Sequence, residues 1–220
     1  RTTVPVNVTI PAVNPDIASA LVRESAATTA KVKIGDPGDD SMIDRARVEA
    51  VRSALGPSGH VRVDVNASWD VATAAQRIED LAEFDLQYVE QPVTTVEEMV
   101  ELRARVSVLL AADELVRHSS HPLRVIEEGG ADILIVKVQP MGGVARALDL
   151  VERVTIPVVV SSALETSVGM YGGLLAASMI EDLPYACGLG TVSLMEGDPT
   201  LMPLLPVGGF LDVRRPEPDP

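Results

Sequence analysis

The chain is predicted to fold as an α/β protein of the (β/α)8 type, a TIM-like (β/α)7β barrel. Three observations carry this expectation. Eight short apolar segments alternate with seven helix-patterned ones along nearly all of the 220 residues, the signature of a sheet covered by helices. The apolar segments are continuous runs of Val, Ile, Leu and Ala rather than in–out alternations, as expected of parallel strands buried on both faces. Five of them end in a charged residue, Lys33, Asp64, Glu90, Asp113 and Lys137, at steps of 31, 26, 23 and 24 residues. Each step is about one βα unit. A doubly wound sheet would fit the alternation equally well, and the polar residues decide. In a barrel the C-terminal ends of successive strands converge on one mouth, whereas in an open sheet they string out along an edge.

The elements follow in order. Thr3 to Ala12 reads as a strand in which Val4, Val6, Val8 and Ile10 alternate, interrupted by Pro5 and closed by Pro11. Asn14 is placed to cap a helix that has Pro15 at its first position. Ala30 to Gly35 is the second strand, and Asp36-Pro37-Gly38 a turn. Ser41 and Asp44 make an S-x-x-D start for a helix that ends at Gly56-Pro57-Ser58-Gly59. His60 to Asn66 is strand, Asp70 caps the next helix, and Leu86 to Gln91 is strand. Thr95 with Glu98 opens a helix, followed by strand from Val108 to Ala112 and a short helix from Pro122 to Glu128. Strand from Ile133 to Val138, helix from Val144 to Val154 and strand from Ile156 to Ser161 come next. Val168 to Ile180 is apolar on nearly every side, so it should be buried or covered. Tyr185 to Gly188 is the last short strand. Residues 1–220 form one barrel domain, with a Pro- and Gly-rich tail from about residue 191 wrapping the outside.

Composition narrows the function. A net charge of −14 argues against nucleic acid and anionic membrane as partners, since both attract basic surfaces. The single cysteine, Cys187, allows no internal disulfide and suits a reducing, cytoplasmic setting. No apolar run reaches the length of a spanning helix, and no charged-then-apolar leader is present.

Lys31 and Lys33 lie two apart in an apolar, β-branched stretch, so their side chains leave the same face of a strand. Taken alone, the stretch also reads as an edge guarded by lysines. Pointed at a core, two ammonium groups depress each other's pKa and make a neutral lysine accessible as a base. Asp64, Glu90 and Asp113, from consecutive strands, form a hard oxygen site suited to Mg²⁺. Individually each acid could be a capping or solvated loop residue. Together with a lysine on the strand before them and Lys137 on the strand after, they point to proton abstraction next to a carboxylate, with the cation stabilising the dianion formed.

With those residues in place, the chain resembles the enolase superfamily, in its muconate-lactonizing-enzyme-like branch with Lys-x-Lys on one strand and a further lysine four strands on. The stretches that carry the resemblance are Lys31-Val32-Lys33, Asp64-Val65-Asn66, Val89-Glu90-Gln91-Pro92, Ala112-Asp113-Glu114, Lys137-Val138-Gln139-Pro140 and Ser161 through Ser167. The last of these makes it most similar to the o-succinylbenzoate synthase family. The resemblance implies a Mg²⁺-dependent carbon–oxygen lyase, with Mn²⁺ as substitute, acting in menaquinone biosynthesis. It would remove water from a cyclohexadiene carboxylate bearing a succinyl chain to give 2-succinylbenzoate. It also implies roles: Lys33 the general base, Lys31 lowering its pKa, Lys137 stabilising the enediolate from the other face, and Asp64, Glu90 and Asp113 holding the metal. Asn66, Ser161, Ser162 and Gly188 would line the substrate. Members of the superfamily carry an N-terminal α+β capping domain. This sequence opens at Arg1 on the first barrel strand, so such a domain is expected to lie outside it. Where dipeptide-epimerase relatives have Asp-x-Asp, this chain has Ala186-Cys187-Gly188, which argues against recognition of an α-ammonium group.

Two other readings use the same residues. A racemase of N-succinylamino acids would employ the two lysines as bases on opposite faces. A non-catalytic metal-binding barrel would need neither lysine, which speaks against it. His118 and His121 have the spacing of a one-turn metal pair but sit in a Ser-rich loop before Pro122. Trp69 is expected to pack on the helix that follows it, Cys187 to be a buried inert thiol, and Gly142-Gly143 to form a tight turn that could also receive an anion.

Overall fold

The computed structural model describes residues 1–36 and 41–219; the expected turn through Pro37 and Gly38 lies outside them. Seven parallel strands run side by side in chain order: β2 (Val8–Ile10), β3 (Thr29–Lys33), β4 (His60–Asp64), β5 (Leu86–Glu90), β6 (Leu110–Ala112), β7 (Ile133–Lys137) and β8 (Val158–Ser161). Between them run α1 (Pro15–Ser25), α2 (Ser41–Leu55), α3 (Val71–Asp80), α4 (Val96–Arg103), the short α5 (Glu114–Arg117) and α6 (Arg124–Glu127), and α7 (Val144–Glu152). Helix α8 (Ser167–Met179) follows β8. A separate antiparallel pair joins β1 (Thr3–Pro5) to β9 (Phe210–Asp212).

The eighth strand is far shorter than expected. Cys187 bridges to Val6 and Gly188 to Ser161, both in parallel sense, and these two residues close the ring between β8 and the start of β2. Four backbone hydrogen bonds make the seam: Cys187 to Pro5, Asn7 to Cys187, Gly188 to Val160 and Ser162 to Gly188, at 2.7–3.0 Å. Pro184 on one side and the glycines on the other limit how far a strand can extend here. Arg62, fully buried inside the barrel, donates from Nη1 to the Ala186 carbonyl at 2.7 Å and stacks over Tyr88, so the seam is also tied to the barrel interior.

The first expected strand is split for a related reason. Thr3–Pro5 pairs with the C-terminal strand, Val6 meets Cys187 at the seam, and Val8–Ile10 pairs with β3. Pro5 has no N–H to donate to a ladder. Beyond that the local signals agree with the backbone. The Asn14 side chain accepts from Ile17, Asp70 from Thr73, and Thr95 and Glu98 form a reciprocal capping box. The short helix α5 has no counterpart among the expected elements; it begins at Glu114, directly after the strand-end residue Asp113.

Apolar burial is divided between the two faces of the ring. Val32, Val61, Val63, Val89, Leu134 and Val136 face the helices, whereas Tyr88, Ala111, Ile133, Ile135 and Val159 fill the barrel interior. A second cluster under α8, built on Met170, Leu174 and Ala177, is completed by Leu204 and Leu211 from the C-terminal segment. Strand registers then set the level of the charged residues. Lys33 lies beside Asp64, Asp64 beside Glu90, and Lys137 beside Ser161, all at C-terminal strand ends.

The end of β3 is clamped from outside. Arg47 of α2 donates to the carbonyl of Lys33 at 3.0 Å and to that of Val13 at 2.6 Å, and it pairs with Asp44. Asp44, expected as a helix-start residue, also accepts from the Gly35 N–H at 2.9 Å. Gly35 itself has φ +80°, and a Cβ there would meet Ser68 Oγ at 2.6 Å. Gly35→Ala should therefore destabilise the fold by about 1–3 kcal/mol, through left-handed strain and the collision, as read by urea unfolding. Unchanged stability would show that the turn after Lys33 relaxes freely.

Candidate active site

Alternation along β3 sends Lys31 and Lys33 to the barrel interior, where they meet the end of β4. Asp64 Oδ2 accepts from Lys31 Nζ at 2.9 Å and from Lys33 Nζ at 2.6 Å. Lys31 also donates to Glu90 Oε1 at 3.0 Å, and Lys33 to Asn66 Oδ1 at 2.7 Å. On the far side Lys137 donates to Asp113 Oδ2 at 2.5 Å. Asp113 lies one residue past β6, and its other oxygen stands 3.2 Å from Arg117 Nε without a hydrogen bond. The structure thus brings all six expected acids and lysines to one mouth. Asp64, Glu90 and Asp113 are each at most 1 % exposed.

Such burial would be costly for lone charges, and their pairing shows in the ionisation. Burial alone would raise the Asp64 pKa, but Lys31 and Lys33 outweigh it and hold the carboxyl below its ordinary value. Glu90 goes the other way: burial and the neighbouring Asp64 push it up to about 7 despite Lys31. For Lys31 the geometry corrects the expectation drawn from the Lys-x-Lys spacing. Burial lowers its pKa, yet Asp64 and Glu90 more than compensate, and the ammonium is held well above the ordinary lysine value. Asp64 stands between the two ammonium groups, so they do not simply repel one another.

Among the described residues no three His, Cys, Asp or Glu side chains stand at the spacing of a metal cluster. Lys31 bridges two of the acids and Lys137 holds the third. The donor chemistry nevertheless fits a hard divalent cation: three buried carboxylates from consecutive strand ends, with Asp113 Oδ1 lacking any hydrogen-bond partner.

Above this floor lies a cavity of about 200 Å³ lined by Thr9, Lys31, Lys33, Arg117, Lys137, Ser161, Ser162, Ala163, Leu164, Gly188 and Thr191. Larger clefts exist, including one of about 300 Å³ between α2 and α3, but none of the three lysines lines it. Of the residues expected to line a substrate, Ser161, Ser162 and Gly188 do line the cavity. A Cβ at Gly188 would collide with Ser161 Oγ, so a side chain there would push into the wall. Asn66 does not line the cavity; it holds Lys33 through Oδ1 and donates to Glu114 Oε1 at 3.2 Å.

Sequence reasoning missed Thr9, Glu114, Arg117 and Thr191. Arg117 had a signal, four residues after Asp113 at helical spacing. Thr191 had none; it meets Ser162, 2.5 Å between hydroxyl oxygens, only because the chain folds back after the seam. The remaining signals stay structural. His121 pairs with Glu127 on the surface, and Trp69 packs against the core. Gly142 and Gly143 take φ +89° and +115° in the turn before α7. Cys187 is buried, which pushes its thiol up to about 11.

Residues 16–218 match the family described as enolase C-terminal domain-like. An o-succinylbenzoate synthase from Thermobifida fusca is 55% identical over 215 residues, covering 98% of this chain and 68% of that protein. One from Mycolicibacterium smegmatis is 48% identical over 222 residues, covering 100% of this chain and 68% of that protein. Muconate cycloisomerase from Pseudomonas fluorescens superposes with a TM-score of 0.85 at 25% identity, over 99% of this chain and 62% of the other. The chain therefore spans roughly two thirds of the length of the proteins it matches.

The ion pairs make a direct forecast. Lys31→Met removes the ammonium shared by Asp64 and Glu90 and should cost about 3–5 kcal/mol of stability in a chelating buffer, the usual penalty for breaking a buried pair. Urea unfolding at pH 7 measures it. A loss below about 1 kcal/mol would mean that Lys31 is not the counter-ion that holds these acids in the barrel.

Proposed function

The chain belongs to the enolase C-terminal domain-like family, and from that premise we propose that it carries the catalytic barrel of an o-succinylbenzoate synthase. The reaction is loss of water from a cyclohexadiene carboxylate bearing a succinyl chain, giving 2-succinylbenzoate for menaquinone biosynthesis in the cytoplasm. The observation that carries the reading is the pair of amines at opposite sides of one carboxylate-floored mouth, Lys33 on β3 and Lys137 on β7. Identity of 47–55% to o-succinylbenzoate synthases over nearly the whole chain selects this reaction among those that begin with the same proton transfer.

Asp64, Glu90 and Asp113 would hold Mg²⁺. Bound there, the ion would neutralise charge developing on the substrate carboxylate as the adjacent proton leaves. The protein's own groups do the rest. Lys33, with 31% of its side chain exposed toward the mouth, takes the proton. Lys137, 10% exposed and anchored to Asp113, keeps a positive charge on the opposite face, where the dianion is stabilised. The carbon–oxygen bond to the ring hydroxyl then breaks, and that group leaves with the abstracted proton as water. The ring becomes aromatic with no change in oxidation state overall. Ser161, Ser162 and the Gly188 backbone form the wall beside Lys137 and orient the substrate.

The intact protein provides the tests. Conversion of the cyclohexadiene substrate should be abolished by EDTA and restored by Mg²⁺, and Glu90→Gln should weaken Mg²⁺ binding measured by calorimetry. Full turnover in the chelator would remove the metal from the scheme. Lys33→Ala should lower turnover by about 10²–10⁴, the contribution of a general base, with Lys137→Ala comparable. Racemisation of an N-succinylamino acid in the absence of any dehydration would replace the synthase reading with the racemase one.

A further inference from the structure

The two amines at the mouth are joined by a continuous arc of polar contacts, and one carboxylate sits at its middle. Glu114 Oε1 accepts from Asn66 Nδ2 at 3.2 Å and from Arg117 Nη2 at 2.6 Å. Asn66 in turn accepts from Lys33 Nζ at 2.7 Å. Arg117 Nε stands 3.2 Å from Asp113 Oδ1, and Asp113 Oδ2 receives Lys137 at 2.5 Å. Asn66 is held at φ +49°, a conformation that costs energy in a residue with a Cβ. Glu114 does not line the mouth cavity itself. Its second oxygen, Oε2, is buried without a hydrogen-bond partner. The cost of that orphan oxygen suggests that Glu114 is fixed by the job Oε1 performs and not by its own best solvation.

We propose that Glu114 is a positioning residue for the base. By fixing the Asn66 amide it aims the Lys33 amine, and by gripping Arg117 it keeps that guanidinium beside Asp113 and out of the path of the substrate. The inference rests on Lys33 acting as the base in the reaction proposed above. The charge and size of Glu114 matter less than its acceptor oxygen, because both of its partners are donors. An amine free to rotate still binds substrate but is seldom aimed at the proton, so the loss falls on the chemical step.

The test compares Glu114→Ala, Asn66→Ala, the double variant and Glu114→Gln in the intact protein. Loss of such a supporting contact should lower kcat about 10- to 100-fold, with KM close to that of the wild type. The double variant should be no slower than the slower single variant, since both changes cut the same path. Glu114→Gln, which keeps an acceptor oxygen in place, should recover most of the lost rate. A second readout needs neither substrate nor metal: the rate at which formaldehyde and cyanoborohydride methylate Lys33, followed by mass spectrometry. That rate should rise in Glu114→Ala and Asn66→Ala alike and not in Glu114→Gln. A faster Lys33 methylation in a protein that turns over neither substrate would support the positioning role while overturning the assigned reaction. Wild-type kcat and unchanged Lys33 methylation in Glu114→Ala would overturn the positioning role and leave the reaction standing. A raised KM at constant kcat would also overturn it, since it would place Glu114 in substrate binding.

Discussion

One carboxylate oxygen, Asp64 Oδ2, accepts hydrogen bonds from two lysines that approach from the same neighbouring strand. That contact depends on the parallel register setting Lys33 beside Asp64, and on the alternation that turns Lys31 and Lys33 inward together. A slip of one residue would send both ammonium groups to the helix-covered face and bring Val32 inward. Every other charge at the mouth is arranged around this one. Glu90 shares Lys31 with it, Asn66 shares Lys33, and Asp113 with Lys137 forms a second pair across the opening. So many buried charges persist because each faces an opposite one and because the barrel below them is filled by apolar side chains. The fold contributes stability so that the mouth can hold an arrangement that would be unfavourable by itself.

Much of this was legible in the chain. The continuous Val- and Ala-rich runs are what a two-sided parallel strand requires, and the charges that close them could be counted at one-unit steps without knowing the fold. The caps at Asn14, Asp70 and Thr95 were readable because a cap is a local hydrogen bond between residues three apart. The Lys-x-Lys spacing told which face the amines share, but not their ionisation. That depends on which acids lie nearest in space, and for Lys31 the answer was the reverse of mutual repulsion.

What escaped the sequence was made by distant contacts. The eighth strand is two residues long, and its partners, Val6 and Ser161, lie 181 and 27 positions away from Cys187 and Gly188 respectively. Thr191 reaches Ser162 only after the chain has crossed that seam. Glu114 gave no sign of bridging Asn66 and Arg117, since a carboxylate beside a strand-end acid looks like any other helix-opening residue. Asn66, expected to face the substrate, accepts a hydrogen bond from Lys33 that its place in the chain does not announce.

The seam has a consequence for how such a barrel can change. Its wall, from Ser161 through Gly188 to Thr191, is held by a few backbone bonds and two hydroxyls, whereas the wall carrying the acids is pinned by strand register and by ion pairs. The ring therefore has a conservative half and a permissive half. Substitutions along the permissive half can reshape what fits the opening while leaving the proton-transfer groups in place.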